Sequence, residues 1–292
     1  MSAHKLSGGT LVFLGALFWS LNSPLVKYLV MDPFLLGGLR ALTAGLSLCF
    51  FIRPAKLRWN WWMLVYVCSY ASLSMCVVLS LKMTSAPIAI GMQYTSTVWL
   101  FLAGWICTRK FNVRAAIPIL VIIVGVICFM STGIETGNTA GNCIALCEGI
   151  FFSLMTVSAR KSCGTNPIGL TAIANLFTGI VVLTLFHDRL DGIFLMSGMD
   201  ILIILILGAI QVGAGYCFYN MGVLLTSPQK ASIIALWEMI LGPVWVALFL
   251  REYPSPLELT GFLIIILGIV LDSPVSDRFF HMIHIPVQSA HA

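Results

Sequence analysis

Residues 84–109 of the chain read TSAPIAIGMQYTSTVWLFLAGWICTR, and residues 226–251 read TSPQKASIIALWEMILGPVWVALFLR. Each stretch opens on Thr-Ser and closes on Arg, and the two have the same length. The correspondence continues outside these two stretches at nearly the same offset. Segment 18–21 matches 151–154, and segment 125–127 matches 268–270. Likewise Pro33, Leu36 and Gly45 match Pro167, Leu170 and Gly179. The offset changes only in loops, where insertions cost little free energy. The chain is therefore one pattern written twice.

The amino-acid composition is typical of a membrane protein. Of its 292 residues 59% are hydrophobic and only 9% are charged, and the mean hydropathy is +1.00. A soluble domain has about a quarter of its residues charged, so we predict a multi-pass membrane protein. The net charge of +5 is spread over short loops and predicts no nucleic-acid partner. The nine scattered cysteines contain no CxxC pair, and we predict no disulfide framework, metal site or cofactor.

Ten segments have about the length and apolarity needed to cross a bilayer. They predict an all-α integral membrane protein whose first repeat covers 1–132, whose second covers 139–272, and whose cytoplasmic tail is 273–292. Because each repeat has five spans, the second enters the membrane inverted relative to the first, as in transporters that rock about a central site. The predicted segments are 8–29, 33–52, 61–81, 86–107, 114–131, 139–159, 166–186, 199–221, 229–250 and 256–272.

The positive charges predict the orientation. With the N-terminus in the cytoplasm, 11 of the 16 Lys and Arg residues lie on the inner side and four on the outer side. This bias is the one that inner loops carry. Ten spans also return the C-terminus to the starting side, so we predict that both termini are cytoplasmic.

Three charged side chains fall deep inside the predicted spans, away from their ends, namely Arg40, Glu148 and Glu238. A charge at the membrane centre costs at least ~2.5 kcal/mol, so these groups must face the protein interior, pair or stay protonated. Each glutamate lies ~13 Å along its helix, near the middle of a ~30 Å core. We predict that both line a central cavity, where one binds a proton or a substrate amine; interhelical bonding is the alternative. Arg40 either contacts an anion or pairs with Glu148.

Aromatic and helix-distorting residues complete the candidate site. Pro243 lies just after Glu238 and removes a backbone hydrogen bond there, while Gly213 and Gly215 suggest a flexible or thin-walled stretch in the eighth predicted segment. We regard these three residues as candidate gating or kink positions. Five aromatic side chains would contact apolar or ring-bearing solutes in a cavity, unless they only pack the core: Trp19, Tyr94, Trp99, Tyr216 and Trp237.

Three stretches are most distinctive: GALFWSLNSPLVKYL at 15–29, GGLRALTAG at 37–45, and 226–271, which ends in LTGFLIIILGIVL. Together with 84–105 they resemble EamA-type permeases of the drug/metabolite transporter superfamily. The resemblance matches Arg40 to the family's helix 2 arginine, Glu238 to its helix 9 acid, and Glu252 to the acid closing helix 9. The repeat mate of Glu252 is Lys110, where many members have an acid. The resemblance implies export of amino acids or other small metabolites across a bacterial cytoplasmic membrane.

The leading hypothesis is a secondary transporter that exports a small amphipathic metabolite by alternating access, with proton coupling at Glu238 or Glu148. A passive facilitator or channel-like permease stays open, as does a homodimer. The expected partners are a small-molecule substrate and the lipid bilayer. No GxxxxGK[ST] occurs, so ATP is not the direct energy source. All five histidines lie near the ends or in a loop, and HExxH and GxSxG are absent, which disfavours an intramembrane enzyme acting on lipids.

Overall fold

The computed structural model describes residues 7–57, 60–109, 113–136, 138–162, 166–223, 225–226 and 228–282, and within these ranges it contains helices and no strand. Short 3₁₀ turns occupy Cys49–Phe51, Pro54–Lys56 and His187–Leu195, and a π-helical segment occupies Ile206–Ala214. The α-helices are α1 (Gly8–Ser20), α2 (Asn22–Tyr28), α3 (Pro33–Leu48), α4 (Trp61–Met83), α5 (Ala86–Gln93), α6 (Ser96–Thr108), α7 (Val113–Thr136), α8 (Thr139–Ser162), α9 (Pro167–Leu185), α10 (Gly198–Leu205), α11 (Gly215–Val223), α12 (Pro228–Leu250) and α13 (Pro256–Met282).

Six of the ten predicted segments form helical spans that are long and apolar enough to cross a membrane, judged over the described residues and with Gly8–Tyr28 taken as one span across its turn at Leu21. Two further segments contain shorter apolar helices, Ala116–Thr132 and Ile234–Leu250. The last helix, α13, runs to Met282, well past the predicted end of the segment at 272. The chain is thus a multi-pass integral membrane protein whose described elements are all helical. The spans that meet both criteria are Gly8–Tyr28, Pro33–Phe51, Trp61–Met83, Thr139–Ala159, Pro167–Leu185 and Gly198–Val223.

Two segments predicted as single helices are broken. The first divides at Leu21, just before Asn22 and Pro24, where proline removes one backbone donor. The fourth divides between α5 and α6. There the Thr95 hydroxyl bonds the Met92 carbonyl at 2.7 Å and the Thr97 hydroxyl bonds the Tyr94 carbonyl at 3.1 Å. These hydroxyl groups compete with the backbone ladder, so each break lies at a short polar run within an apolar segment.

The two halves build corresponding elements in the same way. Asp32 caps α3 and is followed by Pro33, and Asn166 caps α9 and is followed by Pro167. Such caps satisfy the free N–H groups of the first turn. In addition, Arg109 after α6 and Arg251 after α12 both have a positive φ, 56° and 55°. Left-handed backbone is uncommon for a residue other than glycine, so its presence at two matching positions is independent evidence of the repeat.

Helix contacts between the halves are reciprocal. A Cβ added to Gly45 on α3 would lie 2.7 Å from the backbone nitrogen of Leu176, and one added to Gly179 on α9 would lie 2.7 Å from that of Leu42. Gly45 matches Gly179 and Leu42 matches Leu176, both at the offset that also joins Pro33 to Pro167. The α7–α13 pair repeats the pattern, because Gly125 faces Ile265 and Gly268 faces Ile122. Reciprocal contacts of this kind are those of two units related by a two-fold axis.

The remaining major pairs exchange partners in the same manner. Helix α4 packs on α8, and its repeat mate α11 packs on α1. Helix α12 packs on α1 and α2, and its repeat mates α5 and α6 pack on α8. The outward faces carry exposed apolar side chains, for example Phe50, Leu120 and Leu263. Such faces suit lipid, since hydrocarbon has no partner for polar groups. The interior between the halves is therefore the place where polar side chains can gather.

Candidate functional site: a cavity with two carboxyl groups

A cavity lies where α1, α2, α4, α5, α8 and α12 meet, so both halves contribute to its wall. In this conformation its volume is about 10 Å³, roughly the space that one water molecule needs, so a larger occupant requires the surrounding helices to move apart. Two carboxyl groups face it. The described residues that line it are Trp19, Ser20, Asn22, Ser23, Val77, Leu81, Ala89, Ile90, Gln93, Glu148 and Glu238.

Glu148 reaches the cavity from α8 and is held by α4. The Ser80 hydroxyl donates to Glu148 Oε1 at 2.5 Å, and it also bonds the Val77 carbonyl at 3.2 Å. Glu148 is only 1% exposed, yet its second oxygen, Oε2, accepts no hydrogen bond from the described part of the chain. A buried carboxyl group with one oxygen fixed and the other free is available to a bound molecule.

Glu238 faces the cavity from α12 and is held by the segment between α5 and α6. The Tyr94 hydroxyl donates to Glu238 Oε2 at 3.3 Å and lies 3.5 Å from the Ala235 carbonyl. Tyr94 can point this way because α5 ends at Gln93, which itself lines the cavity. The helix break found above therefore positions the partner of Glu238. Helix α12 continues through Pro243 to Leu250, and the gating role of Pro243 stays a prediction.

Arg40 lies behind the cavity wall and does not pair with Glu148, since no ion pair within 4.0 Å joins these two described residues. Its guanidinium donates to Asn22 Oδ1 at 2.7 Å, and to the Ser74 hydroxyl at 2.8 Å and carbonyl at 3.2 Å. Arg40 is 4% exposed, and its Nε has no partner. The guanidinium therefore orients Asn22, which does line the cavity.

Trp19 forms the aromatic wall of the cavity. Its ring packs against Tyr216 and Tyr219, with centroids 4.9 and 4.7 Å away, and Tyr216 in turn lies 6.3 Å from Tyr70. A Cβ on Gly215 would lie 2.6 Å from the indole, so glycine is required for the ring to lie this close to α11. The indole Nε1 is buried and has no partner. Gly213, in the π-helical segment, instead faces Ser47.

Some predicted site residues lie elsewhere. Trp99 and Trp237 are not among the described residues that line the cavity; Trp237 is 45% exposed and meets the Phe13 ring edge-on at 5.9 Å. Conversely, sequence reasoning did not single out the small polar lining residues Ser20 and Ser23. Trp245 donates to the Ser20 hydroxyl at 2.9 Å and so positions it. Serine in an apolar run carries no clear signal, and the lining amides Asn22 and Gln93 were not among the predicted site residues either, although an amide side chain inside a span is a stronger signal.

One end of the bundle is joined by an ion pair. Lys27, at the end of α2, donates to Glu252 Oε1 and Oε2 at 2.8 and 2.9 Å and to the Thr84 carbonyl at 3.0 Å. Glu252 follows α12 and Thr84 follows α4, so this one ammonium group links three helices. Lys82 of α4 bonds the Leu29 carbonyl beside it. We call this region the Lys27–Glu252 end.

The comparisons with known proteins agree with this architecture. The sequence profile of the EamA-like transporter family matches residues 6–131 and again residues 139–273. The chain belongs to the EamA-like transporter family. That family lies within the drug/metabolite transporter superfamily, and each match covers one of the halves described above.

A solved structure titled "Crystal structure of protein" is similar in fold, with a TM-score of 0.63 at 15% sequence identity. The alignment covers 93% of this chain and 98% of that one. None of the curated proteins matches the chain. Within the described residues, no group of three His, Cys, Asp or Glu side chains is placed to hold a metal ion.

Proposed function

We propose that the chain is a secondary transporter that exports a small amphipathic metabolite by alternating access around the cavity. One observation carries the proposal: a cavity with two carboxyl groups lies inside a membrane protein, and its walls come from both sequence repeats. Repeats that share a central site are the usual construction of secondary transporters. Trp19 and the apolar lining suit the apolar part of a substrate, and the carboxyl groups suit its polar part.

The proposed topology is ten spans in two inverted five-helix repeats, with both termini in the cytoplasm of a bacterial cell. The reciprocal contacts at Gly45 and Gly179 support the two-fold relation between the halves. The distribution of Lys and Arg supports the orientation. In this orientation the Lys27–Glu252 end faces outward. Its ion pair keeps α2 and α12 together, so the outer side would open when this pair separates.

The function is tested by metabolite profiling of cells with and without the gene, both inside and outside the cells. We expect at least one small metabolite to accumulate outside cells that make the wild-type chain, and this accumulation to fall about tenfold or more with Glu238→Gln. The matched control is Glu258→Gln, because Glu258 only caps α13 through the Ser255 N–H at 2.7 Å. Identical profiles with and without the gene would reject the function.

We also propose that Glu238 exchanges the proton that drives export. The titratable groups around it are the Tyr94 hydroxyl, Glu148 across the cavity, and Tyr216 and Tyr219 of α11, with Arg40 behind Asn22. Glu238→Gln keeps the shape and removes the ionisable proton. Uptake into proteoliposomes should then lose its dependence on pH over the physiological range. If uptake by Glu238→Gln follows pH as the wild type does, the proton is carried elsewhere.

A further inference from the structure

The cavity wall carries acidic side chains and no basic ones. Among the described residues that line it, two are glutamates and none is Lys, Arg or His. Neither glutamate belongs to an ion pair in the described part of the chain, where the pairs are Lys27–Glu252, Arg189–Asp32 and Arg189–Asp188. An occupant of this cavity therefore meets carboxyl groups with no side-chain cation beside them in the wall.

The neighbouring cations are bonded to groups other than the two cavity glutamates. The Arg40 guanidinium donates to Asn22 and Ser74 and forms no ion pair with either cavity glutamate. Lys27 is bonded to Glu252 and the Thr84 carbonyl. A bound cation would therefore compete with neither of these side chains for the carboxyl oxygens that face the cavity.

Glu148 gives the second, independent observation. The residue is 1% exposed, and only Oε1 has a partner in the described part of the chain, the Ser80 hydroxyl. Burial disfavours an ionised carboxylate, Arg40 acts on Glu148 without bonding it directly, and a positive charge bound at Oε2 would stabilise the ionised form. The fixed oxygen holds the side chain in place, so the free oxygen is presented to the cavity in a set position. This arrangement selects for positive charge.

The rest of the wall indicates what carries that charge. Val77, Leu81 and Ile90 give carbon surfaces, and Trp19 gives an indole ring held by Tyr216 and Tyr219. Indole is the best aromatic partner for a cation and also packs against rings. A bare Ca²⁺ or Mg²⁺ ion would need a shell of oxygen atoms, and within the described residues no group of three His, Cys, Asp or Glu side chains is placed to hold one.

We infer that the substrate is an organic monocation, a protonated amine carried on a small apolar or aromatic body. This inference rests on the proposed transport function, because it names the chemical class of the occupant of the same cavity. The amine binds at the free oxygens of Glu148 and Glu238, and the body lies against Trp19.

Binding to the purified full-length protein in detergent tests the charge class directly. Thermal unfolding is measured with phenethylamine and tryptamine, and with the matched acids phenylacetate and indole-3-acetate at equal concentration. A ligand that binds only the folded state raises the unfolding temperature. We expect both amines to raise it and both acids to leave it unchanged. Equal or larger shifts with the acids, or no shift with either amine, would overturn the inference.

Two variants assign the effect to the cavity. The amine-induced shift should disappear in Glu148→Gln and Glu238→Gln and should persist in the capping-site control Glu258→Gln. A shift that persists in both cavity variants would place the amine elsewhere and overturn the assignment. The wild-type comparison needs no variant and decides the charge class even if one variant fails to fold.

The outcome is separable from that of the proposed function. If metabolite profiling finds gene-dependent export of carboxylates or neutral sugars, transport stands and the cation inference falls. If amines bind in the cavity but no metabolite is exported, the inference about charge stands and the transport proposal falls.

Discussion

The crossing of α4 and α8 and the crossing of α1 and α11 are repeat mates, but they are built from different chemistry. At the first, Glu148 of α8 accepts from Ser80 of α4. At the second, the repeat offsets match Gly15 to Glu148 and Gly222 to Ser80. A Cβ at Gly15 would lie 2.9 Å from the Tyr219 nitrogen, and one at Gly222 would lie 2.6 Å from the Val12 nitrogen.

The difference teaches how a duplicated fold becomes asymmetric. The glycine crossing lets backbones approach closely, which favours van der Waals packing in a membrane. The polar crossing uses the equivalent position to bring a carboxyl group to the cavity. Both cavity carboxyl groups belong to the second half; the mate of Glu238 is Ser96, at the offset that joins Arg109 to Arg251. The first half supplies Arg40, whose mate is Ala174.

The largest effect should come from breaking the glycine crossing. Gly222→Val places a side chain against the α1 backbone, which cannot move without separating the helices, so we expect the free energy of unfolding to fall by about 1–3 kcal/mol or more. Thermal unfolding of the purified protein measures it. The control is Gly198→Val, because a Cβ at Gly198 has nothing within 4 Å. Equal stability of the two variants would contradict the close packing described here.

A second change tests the polar crossing. Ser80→Ala removes the hydrogen bond that fixes Glu148 Oε1, and a bond to a charged group contributes about 1.5–3 kcal/mol. We expect the apparent affinity for the exported metabolite to fall about tenfold or more, while the variant still folds.

The comparison for Ser80→Ala is Ser131→Ala, whose hydroxyl bonds only the Ile127 carbonyl of its own helix at 2.9 Å. Flux measured against substrate concentration separates affinity from the maximal rate. Unchanged affinity in Ser80→Ala would mean that Glu148 does not need its partner on α4 to act.

The smallest effect concerns the Lys27–Glu252 end, where the repeat also lost its symmetry. The mates of this pair are Arg160 and Lys110, two positive residues, so the equivalent ion pair cannot form. Lys27 and Glu252 are 12% and 39% exposed, and a partly exposed pair contributes about 1 kcal/mol or less.

A double-mutant cycle with Lys27→Met and Glu252→Gln measures that coupling from the unfolding transitions. We expect the two changes together to cost less than the sum of their single effects. Strict additivity would show that the pair contributes nothing beyond each side chain alone, and that Lys27 acts through the Thr84 carbonyl.

Much of the fold could be predicted from the sequence, because a repeat constrains many positions at once. The repeat offsets matched Gly45 to Gly179 and 125–127 to 268–270. The glycines at these positions are the ones that pack against a helix of the other half. The helix breaks at Leu21 and before Ser96 were not predicted, because hydropathy averages over the short polar runs that cause them.

The candidate site was less predictable. Depth along a helix placed Glu148 and Glu238 at one level, and the structure brings both to one cavity. The same depth placed Arg40 within range of Glu148, yet Arg40 turns to Asn22 and Ser74. Depth gives the height of a residue in the membrane but not the direction in which its side chain points around the helix axis.

The π-helical segment Ile206–Ala214 has a consequence for the aromatic wall. The Gly215 N–H bonds the Ile210 carbonyl, so each such ring holds one residue more than an α-helical ring. Everything after Ala214 is therefore turned about the helix axis compared with an unbroken α-helix. Tyr216 and Tyr219 contact Trp19 from this rotated position. The direction in which both rings point is therefore set by a backbone segment that itself has no aromatic side chain.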